Sequence, residues 1–199
     1  MPKVTAIILA AGLGSRMGKN KLALPWHDDK TVLETTIERV SKSAVSNGIV
    51  VLGYQSEFWK DKLKLPANWQ TVINPDYALG QSTSLLKGLS IVDVNDTEAI
   101  LFCLGDQPLI KTETINTMLE FWQENKCDIL IPTYQVVRGN PTIFSKNTLV
   151  DMKKLKGDEG ARSLFKIYKP DELPVNDRGI IADLDSPEAY EREWRNSSC

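Results

Sequence analysis

The residues best suited to chemistry crowd the start of the chain. Residues 6–25 read AIILAAGLGSRMGKNKLALP, an apolar run that turns through glycines and ends among Arg and Lys. Small residues let backbone N–H groups approach an anion, and a nest of such groups binds phosphate. Arg16 and Lys21 add positive charge beside it. Two familiar phosphate loops fail on spacing. Gly12, Gly14 and Gly18 give G-x-G-x-x-x-G, one residue longer than the dinucleotide fingerprint. Gly18-Lys19 is followed by Asn20, not the hydroxyl of a P-loop, and Leu13 stands where its first Gly belongs.

Three further stretches carry candidate groups. Asp106 follows the apolar run AILFC, residues 99–103, and precedes Pro108, a placement suited to holding Mg²⁺ or to capping a turn. Gln81, Ser82, Thr83 and Ser84 cluster at a helix start, more polar side chains than one cap uses, which suits a base or ribose. Asp183 and Asp185 flank Leu184, so in a strand they would share one face, and one of them could be a second metal ligand. The acidic turn GDEGAR, residues 157–162, ends in Arg162.

Composition excludes other chemistries. His27 is the only histidine, which argues against a Cys/His zinc site, and its neighbours Trp26, Asp28 and Asp29 suit a plain loop. Ser84 occupies the second Gly of a G-x-S-x-G elbow, so no serine-hydrolase motif is present there. The formal net charge of -2 offers no global field for nucleic acid. No apolar run reaches the ~20 residues of a membrane helix. Three scattered cysteines favour a reducing cytoplasm over a disulfide framework.

These groups need elements to place them. Strands are expected at residues 4–9, 48–52, 70–73, 99–103 and 128–132, with amphipathic helices at 32–46, 56–64, 82–92 and 112–125 between them. Continuous apolar strands alternating with helices predict an α/β fold with a mostly parallel sheet covered on both faces. Ligands in such sheets bind beyond the C-terminal strand ends, where the candidate residues fall. Residues 134–144 read as two short strands around a turn at Gly139-Asn140-Pro141. Two short helical segments follow. Residues 179–194 read as a strand, a turn and a closing helix with Ser186 as N-cap and Pro187 at its first position. A single domain over 1–195 is the simplest organisation.

Together the motifs resemble the MobA-like nucleotidyltransferases, within them the molybdenum cofactor cytidylyltransferases. The matching segments are LAAGLGSRMGKNKLALP (9–25), INPDYALGQSTSLLKGL (73–89), LGDQPLI (104–110), IPTYQVVRGNPTIF (131–144), LKGDEGARSL (155–164) and DLDSPEAY (183–190). The resemblance implies a GT-A-like Rossmannoid fold in which about 1–133 binds the NTP and about 134–195 binds the acceptor and supplies the second metal ligand. It implies Mg²⁺ as cofactor, with CTP and molybdopterin as substrates. LAAG, where the guanylyl branch has LAGG, points to CTP over GTP. By the same resemblance, Leu9, Ala10, Ala11, Gly12 and Gly14 line the nucleotide, with Gln81 to Ser84 framing the pyrimidine. Arg16 and Lys21 hold the triphosphate. Asp106 is the principal Mg²⁺ ligand, with Asp185 the second and Asp183 its fallback. Arg138, Gly139, Asn140, Pro141, Asp158, Gly160 and Arg162 face the acceptor. A molybdenum hydroxylase, or its maturation factor, is the partner implied. Two alternatives remain at this point: a guanylyl or other NTP transferase of the same fold acting on another phosphorylated acceptor, and a non-catalytic carrier of the cofactor.

Overall fold

A computed structural model of the chain describes residues 3–12, 20–157, 160–182 and 184–197. The described residues form the strands β1 (Val4–Ala10), β2 (Asn47–Leu52), β3 (Trp69–Ile73), β4 (Ala99–Leu104), β5 (Ile129–Tyr134), β6 (Val137–Arg138), β7 (Thr142–Ser145) and β8 (Asp171–Pro174). They form one sheet in the order β3-β2-β1-β4-β7-β5-β6, with β8 also pairing β5. β1 pairs in parallel with β2 and with β4, and β2 with β3. β7 enters antiparallel to both β4 and β5. The sheet is therefore mixed but mostly parallel, as expected.

Alternation along β1 divides the core. Val4, Ala6, Ile8 and Ala10 join one buried cluster with Leu33, Ile37 and Val40 of α1 (Val32–Ser41) and Ile115, Met118 and Trp122 of α4 (Thr112–Asn125). Ile7 joins the opposite cluster with Leu85 and Leu89 of α3 (Gln81–Leu89) and Leu149 and Met152 of α5 (Leu149–Met152). Successive side chains of a strand point to opposite faces, so this near-continuous apolar pattern needs helices on both.

Several expectations require correction. α1 stops at Ser41, short of 46, because the Ser41 and Ser43 hydroxyls donate to the carbonyls of Glu38 and Val40. Its start is held by a capping box between Thr31 and Glu34. The second helix, α2, is also short, spanning Ser56–Lys60. The two strands expected either side of Gly139-Asn140-Pro141 are present. β6 pairs with β5, while β7 inserts between β4 and β5. The strand expected from 179 is instead a 3-10 turn, Arg178–Ile181. Asp177 causes the curl: its Oδ1 accepts from Gly179 N at 2.8 Å. Gly179 lies so close to Leu109 that a side chain there would collide with backbone. The closing helix α6 (Pro187–Asn196) does start as expected, with the Ser186 hydroxyl accepting from Ala189 N at 3.2 Å and Pro187 in the first turn.

Candidate active site

The parallel strands end together. Leu9 pairs with Leu104 and Ala10 with Leu52, so the turns after β1, β2 and β4 meet at one edge. Gly53 permits this approach, since an added Cβ would lie 2.8 Å from both Ala11 and Tyr77. Asp106 emerges two residues beyond β4, after Gly105, whose N–H donates to Leu9 O at 2.9 Å.

Lys21 comes to the same edge from a 3-10 turn, Lys21–Ala23. Asn20 caps this turn by accepting from Leu22 N, and its amide also donates to Gln55. Leu22 is buried in the core beneath. The Lys21 ammonium lies 2.5 Å from Asp106 Oδ2 and 2.5 Å from Asp185 Oδ1. The Lys21 and Asp106 side chains are only 18% and 20% exposed, so water screens this pair weakly, while Asp185 is 39% exposed. Burial works against the ammonium, but attraction and hydrogen bonds from Asp106 and Asp185 outweigh it and raise the Lys21 pKa above its ordinary value.

Asp185 arrives from the far end of the chain, 164 residues after Lys21. Leu184 before it is buried against Trp26 and Val32, and Ser186 after it caps α6. Tyr190 of α6 stacks edge-on against Trp26, with ring centroids 5.8 Å apart, and its hydroxyl donates to Pro25 O. His27 stacks on Trp194 and lies 2.6 Å from the Ser197 hydroxyl. The bulky segment after Pro25 thus ties α6 down and brings Asp185 to Lys21.

Beside this cluster is a cavity of about 430 Å³. Leu9, Gln81, Asn140, Gly160 and Arg162 from the expected set line it, together with Leu85, Phe102, Leu104, Thr142, Phe144, Ala161, Ser163 and Phe165. Residues expected on the nucleotide side and on the acceptor side therefore share one wall space. Cavity and acid cluster are linked through Ile180 O, which accepts from Asn140 N at 2.9 Å and from Gln107 Nε2 at 3.3 Å.

The remaining expected residues divide as follows. Ala10 and Ala11 are buried at the strand end, and among the described residues nothing lies within 4 Å of a Cβ placed on Gly12. The hydroxyls of Ser82, Thr83 and Ser84 are engaged within the protein: Ser82 donates to Gly157 O, Thr83 to Gly80 O, and Ser84 accepts from Asn74. Gly139 and Pro141 are buried, and Arg138 is paired with Glu172 at 2.6 Å. Gly14, Arg16, Asp158 and Asp183 lie outside the described residues. Sequence reasoning missed Asp177, which is 2% exposed. It accepts from Lys111 N at 3.0 Å and from the Thr114 hydroxyl at 2.7 Å, as well as from Gly179 N. It thereby fastens the turn bearing Ile180 to the start of α4.

A mostly parallel α/β sheet, with a lysine held between two carboxylates beyond its strand ends, fits nucleotidyl transfer. The chain belongs to the MobA-like NTP transferase family, whose domain model matches residues 6–173. It is a nucleotidyltransferase by that membership. It is 29% identical over 190 residues to the molybdenum cofactor cytidylyltransferase of Escherichia coli K12, covering 96% of this chain and 95% of that protein. It is 28% identical to the purine catabolism protein PucB of Bacillus subtilis 168, covering 99% and 98%. Among solved structures, the Rv0371c homologue from Mycobacterium sp. strain JC1 superposes with a TM-score of 0.87 at 28% identity, covering 98% of this chain and 96% of that one.

Proposed function

We propose that the protein transfers CMP from CTP to the terminal phosphate of a molybdopterin-type cofactor, releasing pyrophosphate. The observation that carries the reading is the Lys21 ammonium between Asp106 and Asp185, at a strand edge that adjoins the cavity. The cytidylyltransferase relative, matched along almost its whole length, and the LAAG motif support CTP as the donor.

The reaction asks for alignment and charge neutralisation, not a protein nucleophile. An oxygen of the acceptor phosphate attacks the α-phosphorus. The bond from that phosphorus to the bridging oxygen of the β-phosphate breaks, and pyrophosphate leaves with the electron pair. The acceptor phosphate is already ionised at neutral pH, so no strong general base is needed. The end of β1, from Leu9 to Gly12, takes the base and ribose with Gln81. Lys21 and Arg16 neutralise the triphosphate and the departing pyrophosphate. Asn140, Gly160 and Arg162 hold the acceptor in the cavity.

The residues fit a divalent cation. Two carboxylate oxygens each lie 2.5 Å from one point, which is occupied here by an ammonium. Hard oxygen donors around a single positive centre are what such a cation takes. Among the described residues no group of three or more His, Cys, Asp or Glu side chains converges. Asp106 and Asp185 would therefore hold Mg²⁺ by two carboxylates, and phosphate and water oxygens would complete its shell. Mg²⁺ bound there supplies charge neutralisation on the phosphate oxygens.

Asp106→Ala tests the assignment. The variant is expected to keep its fold and thermal midpoint within a few degrees while losing CMP transfer. Turnover like the wild type would remove Asp106 from the mechanism.

A further inference from the structure

Helix α3 begins in an unusual way. Its N-cap is Gly80, which has no side chain to accept from the first-turn N–H groups. A carbonyl 75 residues away does so instead. Gly157 O accepts from Ser82 N at 3.1 Å and from the Ser82 hydroxyl at 2.7 Å. Ser82 is 1% exposed, so both bonds are shielded from water. Gly157 has φ +58°, a left-handed conformation that glycine adopts without penalty and that turns its carbonyl toward the helix.

This clip joins two halves of the cavity. On the helix side, Gln81 and Leu85 line the space. On the loop side, Gly160 and Arg162 do so. The fit between the halves is close: a Cβ on Gly160 would stand 2.6 Å from Gln81 Oε1. The loop's flanks are anchored, because Leu155 and Leu164 are both buried in the cluster that holds Leu85. Between those anchors, the described hydrogen bonds from α3 to the loop are the two made by Ser82.

We propose that Ser82 is a positioning residue: it caps α3 with the loop carbonyl of Gly157 and so sets the acceptor side of the cavity against the nucleotide side. Its hydroxyl is spent on the protein, not on the substrate. The inference rests on the transfer reading for its kinetic consequence, but the clip itself is independent of the reaction.

Ser82→Ala removes the hydroxyl and keeps the backbone N–H. Loss of one buried hydrogen bond predicts amide hydrogen exchange about three- to tenfold faster over residues 160–166, with α4 unchanged. The KM for the molybdopterin acceptor should rise by a similar factor, with kcat and the KM for CTP within twofold of wild type. Unchanged exchange over 160–166 would overturn the clip. Faster exchange with a raised KM for CTP and an unchanged acceptor KM would place Ser82 at the nucleotide and overturn the positioning role. If the wild type transfers nothing to molybdopterin, the exchange result still decides whether Ser82 holds the loop.

Discussion

Replacing Asp177 by Ala should destabilise the protein more than any surface change, although Asp177 touches none of the residues assigned to catalysis. The carboxylate is buried and accepts three hydrogen bonds, from Lys111 N, the Thr114 hydroxyl and Gly179 N. A net hydrogen bond contributes about 1 kcal/mol, and buried donors left unpaired cost somewhat more. Two of the three donors are backbone groups at turns that have no other described acceptor for them. The expected loss is about 3 kcal/mol. For a chain of this length that corresponds to a fall of about 6–12 °C in the thermal midpoint. Differential scanning calorimetry and urea unfolding would measure it. Thr114→Val removes one of the three donors and should cost about 1 kcal/mol. Because the two residues share a bond, the double variant should lose less than the sum of the single losses. A fall of under 2 °C for Asp177→Ala, or strict additivity in the cycle, would mean that the Asp177 carboxylate does not hold the 178–181 turn to α4.

Lys21→Met should lower CMP transfer about 100-fold or more, the scale seen when a group that stabilises developing charge is removed. The same variant should bind Mn²⁺ more tightly than wild type in the absence of nucleotide, by isothermal titration calorimetry, because the ammonium no longer occupies the point between Asp106 and Asp185; equal affinities would contradict competition for that point. Glu38 is held at about 2 by hydrogen bonds from Lys30 and Lys42, well below the ordinary 4.5. A lowered folded pKa contributes stability above pH 4.5 that is lost as pH falls toward about 2, so Glu38→Gln should flatten the acid limb of the stability profile in that window. Among the described residues, the methyl of Gly160→Ala meets the far end of the Gln81 side chain alone, so its thermal midpoint should stay within about 2 °C of wild type while substrate KM values change severalfold. A large fall in midpoint with unchanged kinetics would show that the cavity tolerates the methyl and the fold does not.

The sheet was legible because its physics is local. Apolar runs such as AILFC have no polar face and must be covered on both sides, which marks β1, β2 and β4 as interior parallel strands. β8 was not legible: DELP carries two acids and a proline, and it is held by pairing at the edge of β5, by the Arg138–Glu172 ion pair and by Leu173 against the core. Charged residues on such an edge discourage further pairing, so the composition that suits the position also hides the strand. The turn at 178–181 was misread for a different reason. Gly179-Ile180-Ile181 looks like strand, but Asp177 curls it through a local bond from Gly179 N while a bond from Lys111 N, 66 residues away, holds the carboxylate in place.

At the site, Asp106 was legible from its place after an apolar strand, and Lys21 from the basic end of the first loop. What the residues alone could not give is that Asp185 comes to lie beside Lys21, which contacts Asp106 directly. That meeting depends on Leu184 packing against Trp26, a contact between residues at opposite ends of the chain. The four polar residues at 81–84 show the opposite limit. Four polar side chains exceed one cap, yet three hydroxyls are consumed by the helix start, the Asn74 amide and the 157–162 loop, and Gln81 alone of the four lines the cavity. Composition reveals an excess of hydrogen-bonding groups but not where their bonds go.

The most direct test of the central claim is pyrophosphate release by the full chain with Mg²⁺ and molybdopterin cofactor, run in parallel with CTP, GTP, ATP and UTP. Release is expected with CTP, abolished by Asp106→Ala, and little with the other three. Release with GTP in place of CTP would contradict the assigned donor, and no release with any nucleotide from folded protein would contradict catalysis at the Lys21, Asp106 and Asp185 site.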